Sequence, residues 1–492
     1  RAPEQHRQQS EQQPAHATAP APAETAAAAT EVADVVAGVV IVEAHEGAPL
    51  LKICLLPVCG SGGGQLEEAS RGNRLLPRAL LRCTNGSGRP APRKDRFESM
   101  PRRAARAALP LPDLVVLVLQ GGGALGAFQA GVYEALIDLG VELDWVAGIS
   151  IGAINAAIIA GNPRDAAVGK MREFWEGVSS ALPVLPVADN DLAREWAHWA
   201  AAGQVAAFGV PGFFTPRIPP PMFAAPQTPA AISFYDTAPL VETLDRLVDW
   251  DRVNDGKVRL SVGAVAVETG NFRYFDTRTD RIDARHILAS GALPPGLPPV
   301  EIDGTWYWDG GLVSNTPLEH VVESADEAML VFQVDLFPAR GPRPHDLEEA
   351  WSREKDIRFS SRTRRISDGL VRRRKEHRLI ARMLDKLPGE MRALPEVKAV
   401  ERMVDCKALN VVQLIHQPPA WQTGARDFEF SRATMDANWA LGRAAVEASL
   451  KDGHLLAESI AEGRSDSFAI EAGGLQPKSA HAVSPSPREK KD

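Results

Sequence analysis

Residues 113–120, DLVVLVLQ, form an unbroken run of leucines and β-branched residues, and a glycine-rich turn follows at once. A strand that is apolar at every position needs cover on both faces, so this run belongs inside a parallel sheet flanked by helices. The residues that follow agree. Phe128, Val132, Leu136 and Leu139 recur at helical spacing, and Gly140 offers a C-cap. LDWVAGI, over 143–149, reads as a second strand, and 153–160 as a second helix stopped by Gly161-Asn162-Pro163. Strand, turn and helix repeated in this order predict an α/β fold built on a parallel sheet. Further strands are expected at 258–267, 328–336 and 409–416.

The two turns carry the chemistry. Gly121, Gly123 and Gly126 satisfy G-x-G-x-x-G, the spacing of a dinucleotide-binding turn. The physics is more general, because glycines admit a close backbone approach and the N–H groups at a helix start point toward an anion. That anion is either a pyrophosphate or the transient oxyanion of acyl transfer. The second strand favours acyl transfer. A dinucleotide domain would end it in an acidic residue for the ribose, whereas here it runs into Gly148-Ile149-Ser150-Ile151-Gly152 and then a helix. G-x-S-x-G between a strand and a helix is the setting of a nucleophile elbow: Ser150 is exposed on a sharp turn, Gly148 and Gly152 relieve crowding, and the helix dipole favours developing negative charge.

A serine nucleophile needs a base. In a Ser-His-Asp esterase the histidine follows the serine, which makes His320, His345, His377, His416 and His454 eligible by order. None stands in a recognisable loop; His320 falls on an expected helix and His416 at a strand end, both better suited to structural roles. The other candidate is Asp309, preceded by Trp306-Tyr307-Trp308 and followed by Gly310 and Gly311, although a lone Asp-Gly-Gly is commonly just a turn.

Three blocks, GGGALGAFQAGVYEAL (121–136), GISIGAINAA (148–157) and ASGALPPGLPPVEIDGTWYWDGGLVSNTPL (289–318), resemble in order and separation those of patatin-like phospholipases. The resemblance runs from Leu114 to about Phe337, and the segment from there to about Leu450 is similar to the C-terminal extension of a bacterial subgroup. It implies a three-layer α/β/α core with a mostly parallel sheet at 113–337 and a mainly helical, basic extension at 338–450. It also implies a Ser–Asp dyad, Ser150 as nucleophile and Asp309 as general base, with the amides of Gly121, Gly122 and Gly123 as oxyanion hole and no metal or cofactor. The implied substrate is a lipid or phospholipid ester. Two positions depart from the family pattern: Gln120 stands where many members carry Asp, and Leu125 where they carry Arg or Lys.

Composition bounds the rest. With 55 Lys+Arg against 63 Asp+Glu, a formal net charge of −8 excludes a globally basic nucleic-acid binder. Cys54, Cys59, Cys83 and Cys406 lack disulfide-framework or zinc spacing and read as free thiols. No run approaches the roughly 18 apolar residues of a membrane span, and the first residues lack an apolar signal core, so a cytoplasmic location is expected, peripheral to membranes or lipid inclusions. Residues 1–112, rich in Ala, Pro, Gln and Gly, read as a disordered segment, with a true start at Met100 entertained because it is the first methionine. Residues 451–492 read as a disordered tail. Residues 197–231 pass from a helix-like run into the apolar, proline-rich FGVPGFFTPRIPPPMF, which is either a loop packed on the core or a lid or acyl-chain surface. Arg362, Arg364, Arg365, Arg372, Arg373, Arg374 and Lys375 lie on an expected basic helix. Its apolar face would hold Ile366, Leu370, Ile380, Met383, Leu384 and Leu387. That helix is either packed on the catalytic domain or docked on anionic lipid; too few aromatics are interleaved with it for nucleic acid. The sequence does not specify an oligomeric state.

Overall fold

The computed structural model describes residues 110–180, 190–404, 407–451, 453–471 and 474–477. The low-complexity reading of 1–112, apart from its last three residues, the Met100 start and all four cysteines fall outside the described residues.

In chain order the first part holds β1 (Leu114–Leu119), α1 (Gly126–Asp138), β2 (Trp145–Gly148), α2 (Ile151–Ala160), α3 (Arg164–Val178), α4 (Asp191–Phe208), β3 (Thr215–Pro216), β4 (Tyr235–Asp236), α5 (Ala238–Leu247) and α6 (Trp250–Asn254). Then come β5 (Arg259–Ala266), β6 (Phe272–Asp276), α7 (Ala284–Gly291), β7 (Val300–Ile302), β8 (Thr305–Asp309), α8 (Leu318–Glu323) and β9 (Met329–Asp335). The C-terminal part adds α9 (Leu347–Leu384), α10 (Gly389–Arg392), α11 (Pro395–Val404), β10 (Leu409–Ile415), α12 (Arg432–Leu450), α13 (His454–Ala461), β11 (Asp466–Glu471) and β12 (Gly474–Pro477).

One sheet runs β12-β11-β10-β9-β1-β2-β5-β8-β7, with β6 also paired to β5. The strands from β11 to β5 are parallel, while β12, β6, β7 and β8 add antiparallel edges. The continuous apolar run over β1 finds its explanation here. Val115, Leu117 and Leu119 face a core under α1, α2, α3 and α12; Val116 and Val118 face a second core under α8 and α9. Alternate side chains thus feed opposite layers, and the architecture is the three-layer α/β/α of patatin-like proteins.

The C-terminal part is built into these layers. Strand β10 pairs along the whole of β9, and α12 lies against α1, where Trp439 and Arg443 both bind Glu134. The basic helix is α9; Leu370 and Val371 are buried in the second core and Ile366 packs against it, whereas Ile380 and Met383 are exposed.

The expectation of disorder from 451 is corrected as far as Pro477; residues 478–492 lie outside the described residues. Helix α13 and strands β11 and β12 occupy that segment, and β11 pairs in parallel with β10 while β12 closes the edge. Their Ser, Asp and Gly content hides them locally, and the partner strand supplies the order. Among the described residues no helix is long and apolar enough to cross a membrane.

Candidate active site

The register aligns the functional turns. Leu119 pairs with Gly148 and Gly148 with Val262, so β1 and β2 end together beside the middle of β5, and the turns that follow β1 and β2 meet above the sheet. This is the crevice at the carboxyl ends of parallel strands, where open α/β sheets place their sites. Antiparallel β8 arrives with Ala264 opposite Asp309, which delivers the aspartate to the same end.

Ser150 sits between β2 and α2 with φ 55° and ψ −123°, a left-handed conformation that a non-glycine residue holds only under constraint. The constraint comes from both sides. Its N–H donates to Ser290 Oγ at 3.0 Å, and that hydroxyl donates to the Gly263 carbonyl at 2.7 Å. Gly148 and Gly152 let the turn close, since a Cβ on Gly152 would stand 2.4 Å from the Leu119 carbonyl oxygen.

Ser150 and Asp309 are brought together, the serine hydroxyl close enough to the carboxylate to favour its charged form. The carboxylate is buried, 3% exposed, and also accepts the Gly311 N–H at 2.7 Å. Burial pushes its pKa up to about 6 against the pull of the Gly311 N–H and the Ser150 hydroxyl, and no cation appears among the groups that offset it. Gly310 opens the short turn after Asp309, and Gly126 opens α1.

The glycine turn supplies N–H groups beside the serine. Gly123 has φ 56°, and a Cβ there would stand 2.0 Å from the Asp427 carbonyl oxygen, so only glycine fits. The expectation for Gly121 is corrected: its N–H donates to the Asn315 carbonyl at 3.2 Å. Ala124 N–H likewise donates to the Asp427 carbonyl at 2.8 Å. The N–H groups of Gly122 and Gly123 have no acceptor among the described residues, nor has that of Ile151, the first of α2.

Four residues around this core escaped the sequence reading. Asn315 returns the contact from Gly121 with its own side chain, Nδ2 donating to the Gly121 carbonyl at 2.9 Å. Asn315 and Ser290 lie inside the third sequence block, where their nearness to Asp309 and the elbow was a usable signal. Asp427 and Lys355 had none, because they come from the C-terminal part: Lys355 Nζ on α9 donates to Asp427 Oδ1 at 2.8 Å and to the Gly424 carbonyl at 2.9 Å. Asp427 thus anchors the glycine turn with its backbone and α9 with its side chain. The two departures are also accounted for. Gln120 is fully buried, its Oε1 accepting the N–H groups of Leu336 and Phe337, and Leu125 is core.

The histidines lie elsewhere. His320 Nε2 is 3.3 Å from Asp276, His345 pairs with Glu349 on the surface, and His416 is buried against Asn438. His377 lies within α9, and His454 begins α13. Among the described residues none of the five is hydrogen-bonded to Ser150, and no group of three or more His, Cys, Asp or Glu side chains could hold a metal.

A strained serine on an elbow, a buried aspartate beside it and a glycine turn thus gather above one end of the sheet. Residues 117–322 match the family model of patatin-like phospholipases, and residues 357–461 match a second model described as patatin phospholipase. These matched segments, 117–322 and 357–461, are of the patatin-like phospholipase family. It is 25% identical over 263 residues to lysophospholipase NTE1 of Yarrowia lipolytica, covering 53% of this chain and 14% of that protein. It is 32% identical over 114 residues to patatin-like phospholipase domain-containing protein 7 of Mus musculus, covering 23% of this chain and 8% of that one. The chain therefore spans a small part of these curated relatives. Among solved structures it is similar to VipD from Legionella pneumophila, at TM-score 0.29 and 15% identity over 68% of this chain and 67% of that one.

Proposed function

We propose that this protein hydrolyses carboxylic esters of lipids, with Ser150 as nucleophile and Asp309 as general base. The observation that carries the reading is a buried carboxylate, 3% exposed, beside the Ser150 hydroxyl, with its pKa pushed up to about 6. An ordinary aspartate, with a pKa of about 4, is a weak base for a hydroxyl; the raised value narrows that gap at neutral pH.

In this mechanism Asp309 takes the hydroxyl proton as Ser150 Oγ bonds to the ester carbonyl carbon. The carbonyl electron pair moves to oxygen, and the N–H groups of Gly122, Gly123 and Ile151 meet the charge. Collapse expels the alcohol, which recovers the proton from Asp309 and leaves an acyl group on Ser150. Water, deprotonated by Asp309, attacks that acyl-enzyme, and collapse releases the acid as Ser150 Oγ takes the proton back from Asp309. No step calls on a metal or cofactor. The naming of a relative as a lysophospholipase supports a glycerophospholipid or lysophospholipid ester as the substrate class.

The test is acid release from p-nitrophenyl esters and phospholipid vesicles, in chelator, by wild type, Ser150→Ala, Asp309→Asn and His320→Ala. Loss in the first two variants alone supports the dyad. Activity retained by Asp309→Asn, or lost in His320→Ala, would return the site to a histidine-dependent esterase.

A further inference from the structure

Residues 217–234 form a loop closed at its neck by the β3–β4 pair. Arg217 N–H donates to the Phe234 carbonyl at 2.9 Å, and the Arg217 guanidinium binds Ser233 Oγ at 3.0 Å and Asp236 at 3.1 Å. Arg217 is thereby turned back onto the neck, and residues 218–234 contain no charged side chain at all. Five prolines stiffen that stretch. The stretch presents Ile218, Met222 and Phe223 at 92%, 72% and 75% exposure. Large apolar side chains held outward on a rigid, uncharged loop are a costly way to face water.

The loop is tied to the catalytic mouth. Phe234 and Tyr235 N–H donate to the carbonyls of Pro295 and Gly296, in the segment whose Ala292 carbonyl accepts the Asp309 N–H at 3.0 Å. In that segment Leu293 is exposed, as are Leu312 and Val313, three and four residues past Asp309. Exposed apolar side chains thus occur both in the segments that flank Asp309 and on the loop tied to them.

The basic helix offers a weaker case. Arg374 donates to the Val322 carbonyl at 3.2 Å and Lys375 pairs with Asp466 at 2.8 Å, contacts that pin α9 to α8 and β11. Arg372 faces Glu376 at 3.9 Å, and the side chains of Arg362, Arg364 and Arg365 lie outside the described residues.

We propose that the loop 217–234 and the rim of the Ser150 site form one docking face for a lipid interface, entered by apolar side chains rather than drawn down by charge. A lipid interface accepts such side chains to a depth of about 5–10 Å without a matched surface. It also leaves substrate within reach of Ser150, whereas a second protein chain on the same face would cover the mouth. The proposal takes its substrate class from the hydrolytic reading above, but its test requires no turnover.

Full-chain Ser150→Ala protein is floated with zwitterionic phosphatidylcholine vesicles at low and high salt, beside Ile218→Asp/Phe223→Asp and Arg372→Glu/Arg373→Glu on that background. Circular dichroism checks each fold. The expected result is binding that salt barely changes, reduced about a hundredfold by the aspartates and less than about threefold by the glutamates. As a readout that needs no introduced charge, Phe223→Trp should gain tryptophan emission that brominated phosphatidylcholine quenches. The proposal is overturned if the aspartate variant binds like its parent, if binding requires anionic lipid and collapses in salt, or if the emission gained by Phe223→Trp is not quenched. It is overturned equally if light scattering shows a dimer that the aspartates dissociate, since a second copy would then cover the face. Expected binding with no acid released from any ester by the wild type would sink the hydrolytic reading and leave the docking face standing.

Discussion

Strand β5 pairs with two strands that each end in a buried aspartate, and the two carboxylates are treated oppositely. Asp276, at the end of β6, receives Arg259, Ser261, His320 and the Arg278 N–H. Burial alone would raise its pKa, yet these partners hold it well below the usual carboxylate range. Asp309, at the end of β8, has among the described residues the Gly311 N–H and the nearby Ser150 hydroxyl, and burial wins. The pairs look alike on the sheet, but one carboxylate is neutralised by its surroundings and the other is left in need of a proton. A buried charge with full partners stabilises a fold; one with a single reactive partner is equipped for proton transfer. His320 shows why geometry must precede residue type. It has an aspartate on one ring nitrogen and Ser324 at 3.3 Å on the other, a Ser-His-Asp set in name, but Arg259 already pairs with that carboxylate at 2.8 Å.

The largest expected effect separates the two aspartates by activity. Asp309→Asn should lower kcat by about 10³-fold or more, as loss of a general base does, while Asp276→Asn should leave kcat within about threefold. Comparable losses in ester turnover would erase the distinction.

Stability should move the other way. Asp276→Asn removes one member of a buried ion pair and should cost about 3 kcal/mol in urea unfolding at neutral pH. For Asp309 the folded pKa is raised, so the ionised form opposes folding above that value. Asp309→Asn should therefore stabilise the protein at pH 7 and above by about 2 kcal/mol, a gain that vanishes as pH falls below about 4. Destabilisation by Asp309→Asn at pH 8 would contradict this.

Acidity supplies the next test. In the proposed mechanism Asp309 accepts a proton only when ionised, so kcat/KM for a soluble ester should rise with pH to a half-maximum near 6, and Asp276→Asn should not move that midpoint. A midpoint near 4, the ordinary aspartate value, would remove the case for a tuned base.

The smallest effect probes the C-terminal part. Lys355→Met frees Asp427, whose carbonyl holds the Ala124 N–H, and should lower kcat by about tenfold while KM and the circular dichroism spectrum stay put. An unchanged kcat would reduce the α9 contact to packing.

What the sequence revealed follows the range of the physics involved. The apolar run of β1, the elbow around Ser150 and the strands later assigned β5, β9 and β10 were legible because local pattern determines them. Asp309 was ambiguous as an isolated Asp-Gly-Gly; only the cross-strand register with Ala264 brings it to the elbow. The roles of Asp427 and Lys355 were invisible, since they depend on a long-range approach to Gly123 and Ala124 that no local period announces. The commitment of the Gly121 amide to Asn315 and the order of β11 and β12 were hidden for the same reason.

The most direct test of the central claim is reaction with a fluorophosphonate, followed by intact-mass spectrometry and peptide mapping across pH. The account predicts one adduct, on Ser150, formed at a rate that rises through pH about 6, absent in Ser150→Ala and at least about a hundredfold slower in Asp309→Asn. An adduct on another serine, or one formed on Ser150 at an undiminished rate in Asp309→Asn, would contradict it.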